Sequence, residues 1–239
     1  MQIPKIIHQL WKNDTIPPRW RDAVAAVKRL HEGWEYRLWT DAEIEAHVRT
    51  AHPDFYPVYA GFNRNIMRFD TFRYILMQDF GGLYCDLDYE FLRPFDYRDA
   101  EVMLSHEFQK AYGDTSDRVA NYVFASRAGH PLWPDILAAL AADPPRSTSP
   151  NDVPELTGPG LMTRVYFANP ERYSGVMLTD KPVLSPRRVH GRYEQKFYIN
   201  SGITYGFHHG WGTWRQRLKL SYFKKKLRRY AAYIRRPHL

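Results

Sequence analysis

Two aspartates separated by one residue are the strongest chemical signal in the chain. Asp86 and Asp88 directly follow the apolar stretch Leu83–Cys85. In an extended strand alternate side chains point the same way, so both carboxylates lie on one face. Two such carboxylates repel each other unless a cation lies between them, and oxygen ligands of this kind suit Mg²⁺ or Mn²⁺. The pair therefore predicts a divalent-cation site at a strand end, although a merely solvated strand end would carry the same short motif.

A second pair of charged residues lies in the apolar segment just before that strand. Residues 63–80 contain no Gly or Pro and are apolar on nearly every side, which predicts a buried helix that ends at the two glycines that follow. Asp70 and Arg73 are three residues apart and share one face of this helix. Because buried charges need partners, the two either pair only with each other or face the aspartate pair. In the second case Arg73 would bind a phosphate or a sugar hydroxyl, and Asp70 would accept from sugar hydroxyls.

Together these segments resemble the sugar-binding region of the family 32 glycosyltransferases, which include a yeast initiating mannosyltransferase and bacterial capsule and oligosaccharide transferases. The resemblance covers about residues 1–214, and its most specific part is the helix–Gly-Gly–strand unit just described. The other similar segments are Ile3–Trp11, Tyr36–Asp41, Asn121, Gly129–Pro131, Thr157–Pro159 and His208–Trp214. Phe69 and Thr213 stand where the family usually has serine.

The resemblance implies a metal-dependent, retaining glycosyltransferase of the GT-A type. It would move a sugar from a UDP- or GDP-sugar to a saccharide or lipid-linked acceptor, with Mn²⁺ or Mg²⁺ as cofactor. A bound divalent cation would stabilise the charge on the departing diphosphate. His209 is the predicted third metal ligand beside Asp86 and Asp88, although the sequence does not distinguish it from His208 or from a loop histidine that only packs.

The predicted site extends beyond the metal ligands. We expect Asp70, Arg73, Asp86 and Asp88 to be catalytic. The predicted donor-binding residues are His8, Gln9, Trp11, Trp39, Asp70, Arg73, Tyr84, Asp86, Asn121, Thr157, Gly158 and Trp214. Among them, Trp39 would stack on the nucleobase and Trp11 would line the same edge, although both are also compatible with the core, Trp11 more so.

Two other classes of function are compatible with the aspartate pair. A metal-dependent hydrolase or phosphodiesterase would use the same carboxylates, but it needs a water-activating base or a second metal site. Only His208 and His209 are available for that role. The other class is a non-catalytic carbohydrate- or membrane-binding module.

The elements that must position these residues alternate between strands and helices. Expected strands are Ile6–Leu10, Trp34–Trp39, Leu83–Asp88, Val102–Ser105 and Asn121–Ser126, with extended chain at Val183 and over 197–207. Expected helices are Trp20–Leu30, one that starts in a capping box at Thr40, 63–80, Leu132–Ala142 and Leu156–Asn169. The alternation predicts the α/β class, with a Rossmann-like, mostly parallel sheet and helices on both faces. Ligands of such sheets bind at the carboxyl ends of strands, where the aspartate pair falls.

Charge divides the chain into a domain and a tail. The net charge is +8 over 239 residues, and residues 215–239 contain ten Lys or Arg and no acid, which leaves residues 1–214 at about −2. We therefore predict one glycosyltransferase domain over 1–214 and a basic amphipathic helix over 215–239. That helix would bind an anionic membrane surface or dock on the domain, and its stripe of aliphatic residues does not favour nucleic acid as a partner.

Cysteine content and hydropathy lead to an expected location. A single Cys excludes an internal disulfide, no apolar run approaches the ~20 residues of a membrane span, and the N-terminus shows no charged-then-apolar leader. These observations predict a cytoplasmic protein that lies peripherally at the inner face of a bacterial membrane.

Overall fold

The computed structural model describes residues 2–97, 99–184, 186 and 200–210. Its strands are β1 (Ile6–Leu10), β2 (Glu35–Trp39), β3 (Gly82–Cys85), β4 (Tyr89–Phe91), β5 (Val102–Phe108), β6 (Arg118–Val119), β7 (Val123–Ser126), β8 (Val176–Thr179) and β9 (Gly206–His208). Its α-helices are α1 (Arg21–Leu30), α2 (Asp41–Ala51), α3 (Tyr56–Gly61), α4 (Asn65–Asp79), α5 (Leu132–Ala142), α6 (Val153–Leu156), α7 (Pro159–Ala168) and α8 (Lys181–Leu184). Trp214 and the predicted tail helix over 215–239 lie outside the described residues.

One mixed sheet organises this part of the chain. Its strand order is β2-β1-β3-β7-β5-β6, with β8 paired to β5. Strands β1, β2, β3, β5 and β8 run in one direction, and β6 and β7 run in the other. The predicted α/β class with a mostly parallel, Rossmann-like sheet is therefore confirmed.

The side chains of the central strands alternate between two apolar layers. Leu83 and Cys85 of β3 pack in one layer with Val27 of α1, whereas Tyr84 packs in the other layer with residues of α4 and α5. Helices therefore cover both faces, as predicted. Because both faces are covered, all four residues of β3 are buried, and the aspartates after it lie where the strand leaves the core.

Two glycines set the junction between α4 and β3. Gly81 and Gly82 have φ values of 65° and 96°, a region that L side chains rarely adopt. A Cβ on Gly82 would lie 2.5 Å from the carbonyl oxygen of Ile6 in β1. The second glycine thus allows β3 to lie against β1 immediately after the helix, which brings the end of β3 beside the residues of α4.

Most element boundaries follow the sequence closely, but the strand expected over Leu83–Asp88 ends at Cys85, and the two aspartates lie in the turn that follows it. Strand β1 and helix α5 have the predicted bounds, and the Thr40–Glu43 capping box is present. The segment 156–169, expected to start in a Gly-Pro-Gly turn and continue as a helix, contains α7, and Thr157 and Gly158 separate it from the short helix α6 before it. Val183, expected to be extended, lies in the short helix α8. Within the described residues, no helix combines the length and apolar character that crossing a bilayer requires.

Candidate active site

A cleft with a volume of about 410 cubic ångströms opens at the carboxyl ends of β1 and β3. Seven of the predicted site residues line it together: Trp11, Asp70, Arg73, Tyr84, Asp86, Asp88 and Asn121. Further lining residues that the sequence did not single out for the site include Trp20, Glu107, Phe108, Arg118, Tyr122 and Pro154. The structure therefore brings the aspartate pair, the charged face of α4 and the segment between β6 and β7 to one place.

Arg73 is the centre of the polar network in this cleft. Its Nη2 donates to Asp86 Oδ1 at 2.9 Å, its Nη1 donates to Asp70 Oδ1 at 2.8 Å, and its Nε donates to the hydroxyl of Tyr84 at 2.8 Å. Nη1 also lies 3.2 Å from the carbonyl oxygen of Asn121. The mutual Asp70–Arg73 pair and the contact with the aspartate pair, which the sequence left as alternatives, are both present.

The first aspartate is oriented by this network. Tyr84 donates to Asp86 Oδ1 at 2.5 Å, so that oxygen accepts from both Tyr84 and Arg73. Gln9 supports the same strand end from below, because its Nε2 donates to the carbonyl oxygen of Asp86 at 3.3 Å. The other carboxylate oxygen, Oδ2, lies 3.5 Å from Nε2 of His208. Asp86 thus presents one oxygen to the protein and the other to the cluster that could hold a cation.

His208, and not His209, completes that cluster. One ligand atom each from Asp86, Asp88 and His208 all lie within 4.8 Å of one another, and His208 Nε2 is 3.0 Å from Asp88 Oδ1. The His208 ring is also stacked on Tyr122, with 4.0 Å between ring centroids. Two carboxylates and one imidazole fit a divalent cation with open positions, and the nitrogen ligand favours Mn²⁺ over Mg²⁺.

His209, the residue directly after β9, turns its side chain towards Glu90, which corrects its predicted position. His208 pairs with Tyr89 in the β4–β9 ladder, and the side chain of the following residue points the opposite way. Nε2 of His209 therefore lies 2.8 Å from Glu90 Oε2 and outside the cluster around the aspartate pair.

Burial and charge perturb the ionisable groups of the cleft. Burial on its own lowers the pKa of His208, but its hydrogen bonds to Asp86 and Asp88 outweigh this and raise the pKa to about 9. Burial raises the pKa of Asp70 to about 6, against the opposing attraction of Arg73. Burial also works against the charge of Arg73, but the carboxylate of Asp86 leads the groups that raise its pKa above the ordinary value. Arg73 therefore stays charged and balances the acidic groups around it.

Asp70 is held from beneath by residues that the sequence predicted to bind the donor. Its Oδ1 accepts from Asn121 Nδ2, and its Oδ2 accepts from Thr157 Oγ1, each at 3.1 Å. A Cβ on Gly158 would lie 3.2 Å from Asp70 Oδ2, so the loop between α6 and α7 approaches Asp70 closely. Thr157 is fully buried, and Gly158 lies beneath Asp70 in the same loop. The structure thus places both next to Asp70 and away from the open cleft.

The predicted donor-binding roles of His8, Gln9 and Trp39 are not supported by their positions, because all three are buried. Trp39 Nε1 donates to His8 Nδ1 at 3.1 Å, and His8 Nε2 donates to the carbonyl oxygen of Gly81 at 2.9 Å. Trp39 is therefore a core residue, and it is Trp11 that lines the cleft, packed edge-on against Trp20. The sequence favoured the opposite assignment for these two tryptophans. The alternation of side chains along β1 and β2 does not reveal which face of the sheet is covered by a helix.

Comparisons with known proteins find similar sequences. Residues 17–109 match the family model described as a glycosyltransferase sugar-binding region containing a DXD motif. The chain is 40% identical over 98 residues to inositol phosphoceramide mannosyltransferase 1 of Schizosaccharomyces pombe, a match that covers 40% of this chain and 31% of that protein. It is 34% identical over 138 residues to inositol phosphoceramide mannosyltransferase 3 of the same yeast, covering 58% of this chain and 37% of that protein. The matched parts thus span about a third of the length of these relatives.

A solved structure has the same fold. The PaToxG glycosyltransferase superposes with a TM-score of 0.51 at 15% sequence identity, and the match covers 70% of this chain and 69% of that one.

The relatives also overturn the expected location. The prediction of a cytoplasmic protein at the inner face of a bacterial membrane is wrong, because the relatives named here are yeast enzymes of inositol phosphoceramide mannosylation.

Proposed function

We propose that the protein transfers a sugar from a nucleotide-sugar donor in a metal-dependent, retaining reaction, as the match of residues 17–109 to the sugar-binding region of DXD-containing glycosyltransferases suggests. The observation that carries this proposal is the convergence of Asp86, Asp88 and His208 in one cleft with the guanidinium of Arg73. A nucleotide-sugar carries the two features that such a cleft recognises, a diphosphate and a hydroxyl-rich sugar. The retaining outcome comes from the family resemblance.

Asp86, Asp88 and His208 would hold Mn²⁺, with Mg²⁺ as the weaker alternative. When bound, the cation would act as a Lewis acid on the diphosphate leaving group. The side chains of this chain would position it, since Tyr84 and Arg73 already hold the opposite oxygen of Asp86. Three protein ligands leave positions for oxygens of the diphosphate.

Arg73 would place positive charge beside the departing diphosphate. Its guanidinium lines the cleft and is held in three directions by the hydrogen bonds described above, so it is oriented before the donor binds. Asp70 is 4% exposed and its oxygens already accept from protein donors, so it acts through Arg73 as a positioning residue.

The other end of the cleft would bind the acceptor. Glu107, Phe108, Arg118 and Pro154 line it there, and Arg118 Nη1 lies 3.0 Å from Glu155 Oε1. A guanidinium and an aromatic ring side by side suit an acceptor that carries both a charged head group and apolar surface. Mannose as the donor sugar and a phosphoinositol-bearing lipid as the acceptor follow the names of the yeast relatives and are the first pair to test. An anionic membrane surface bound through residues 215–239 would present such a lipid.

A screen of nucleotide-sugars tests this function. GDP-mannose, UDP-glucose and UDP-galactose are incubated with the protein and Mn²⁺, and the released nucleotide and the anomeric configuration of the sugar are followed by NMR. We expect Mn²⁺-dependent turnover of one donor with retention, lost in Asp88→Asn and kept in Glu90→Gln, whose carboxylate pairs with His209 on the other side of the strand. Equal turnover in EDTA or in Asp88→Asn would refute the metal-dependent mechanism, and cleavage of simple phosphodiesters instead of sugar nucleotides would favour the hydrolase.

A further inference from the structure

A second cluster of metal-binding side chains lies away from the cleft, between α2 and α4. His47 of α2, His52 at the end of the same helix and Asp79 at the end of α4 each present one ligand atom, and these atoms all lie within 4.8 Å of one another. Nε2 of His47 and of His52 lie 2.6 and 2.8 Å from the same oxygen, Oδ2 of Asp79. Asp79 is six residues beyond Arg73, roughly 9 Å along the helix axis, so the cluster is separate from the candidate active site.

The two histidines are held in place by their surroundings. The His47 ring packs against Trp39, Phe72 and Phe80, with centroids 5.2 to 5.9 Å away. The backbone of His52 is fixed on both sides, since its N–H donates to Val48 and its carbonyl oxygen accepts from Phe55 and Tyr56. These two ligands are thus preorganised, because the His47 ring and the His52 backbone have little freedom to lose when an ion binds.

We propose that His47, His52 and Asp79 bind a zinc ion that links α2 to α4. Two imidazoles and one carboxylate are a donor set typical of Zn²⁺, and three protein ligands leave a fourth position for water. The side chains are each about 20% exposed, so the ion can enter from solvent. Ligands of a tetrahedral zinc ion lie roughly 3.3 Å apart, and partly exposed imidazoles reach that spacing from the present 2.6 and 2.8 Å by a small rotation.

Zinc would replace two hydrogen bonds by coordinate bonds and stabilise the fold locally. The last turn of α4 leads through the two glycines into β3. The ion would therefore hold the end of α4, the helix that carries Arg73, next to the start of β3, the strand that the aspartate pair follows. Without an ion, the same residues form only a hydrogen-bonded cluster between two helix ends. The two cases differ in whether the purified protein binds Zn²⁺ and whether that binding needs these three side chains.

Zinc titration of the full chain tests the proposal without any sugar nucleotide. The chain carries Asp86→Asn and Asp88→Asn to silence the cleft cluster, is stripped with a chelator, and is titrated with Zn²⁺ by calorimetry and thermal melting. We expect one Zn²⁺ per chain and a higher melting temperature. His52→Gln and Asp79→Asn should each weaken binding by about tenfold or more, and His106→Gln, a half-buried histidine outside the cluster, should not.

Circular dichroism checks that each variant is folded. In a parallel titration Co²⁺ replaces Zn²⁺, because its visible absorption reports the coordination geometry. Absence of stoichiometric Zn²⁺ binding, or equal binding in the cleft-silenced chain with and without His52→Gln or Asp79→Asn, would overturn the zinc site and leave a hydrogen-bonded cluster. Neither result bears on the glycosyltransferase proposal, because the cleft cluster is silenced throughout.

Discussion

Nη2 of Arg73 donates a 2.9 Å hydrogen bond to Oδ1 of Asp86, which ties the buried helix α4 to the first aspartate of the pair. A charged side chain in an otherwise apolar helix is costly unless it is paired. Here one partner of Arg73 is Asp86, at the end of the strand that follows the helix in sequence. Because Arg73 also pairs with Asp70 of its own helix, the helix and the strand end share one charge network of Arg73, Asp70 and Asp86.

The aspartate pair should be essential for turnover and dispensable for folding. Asp88→Asn keeps the shape of the side chain but removes a metal-binding charge, and a loss of about 3 kcal/mol of transition-state stabilisation corresponds to a turnover decrease on the order of 100-fold. The melting temperature should fall only modestly, because the amide oxygen can still accept the hydrogen bond of His208 while the repulsion with Asp86 is removed. Steady-state kinetics with Mn²⁺ and calorimetry measure the two effects. Turnover close to that of Glu90→Gln would contradict the prediction.

Two substitutions at Arg73 separate its electrostatic role from its structural one. Arg73→Ala leaves Asp70 buried without its cation and should lower the free energy of unfolding by about 3–5 kcal/mol. Arg73→Lys keeps the charge but not the guanidinium geometry that reaches Asp70, Tyr84 and Asp86 together, so turnover should fall far more than stability. Urea unfolding and kinetics on the same preparations distinguish the two. If Arg73→Lys lost both in proportion, Arg73 would be a purely structural residue.

The neighbouring histidines should differ in metal binding. His208→Ala removes an imidazole whose Nε2 lies 3.0 Å from Asp88, so Mn²⁺ affinity should fall by about tenfold or more. His209→Ala removes an imidazole that pairs with Glu90, so Mn²⁺ affinity should stay within about twofold. Titration of Mn²⁺ followed by electron paramagnetic resonance compares them directly. Equal losses in both variants would move His209 back into the metal site.

His8 should make stability depend on pH in mildly acidic solution. Burial lowers its pKa to about 4, so the folded state holds His8 neutral while the unfolded chain takes up a proton near pH 6.5. Its contribution is therefore complete above pH 6.5 and is lost as the pH falls towards 4, with about 2 kcal/mol gone by pH 5. Urea unfolding at pH 7.5 and pH 5 should show that difference between wild type and His8→Gln. An identical pH dependence in both would mean that His8 is not held neutral.

Local sequence determined much of the architecture and the family resemblance. The apolar segment 63–80, the two glycines and the strand before Asp86 identify the helix–strand unit, and the match over residues 17–109 confirms the resemblance to DXD-containing glycosyltransferases. The capping box at Thr40 and the bounds of α5 also depend on residues close in sequence. Such features are predictable because periodicity and caps act within one or two turns.

Only the tertiary structure decided which polar and aromatic side chains reach the cleft. His208 and His209 are adjacent, and the pairing of β9 with β4 determines which of them faces Asp88. Trp11 lines the cleft and Trp39 is buried because α2 and α4 cover the face of the sheet on which Trp39 lies. The cluster of His47, His52 and Asp79 likewise forms only when those two helices pack. In each case the position of a side chain depends on contacts between segments that are far apart in sequence, which local patterns do not specify.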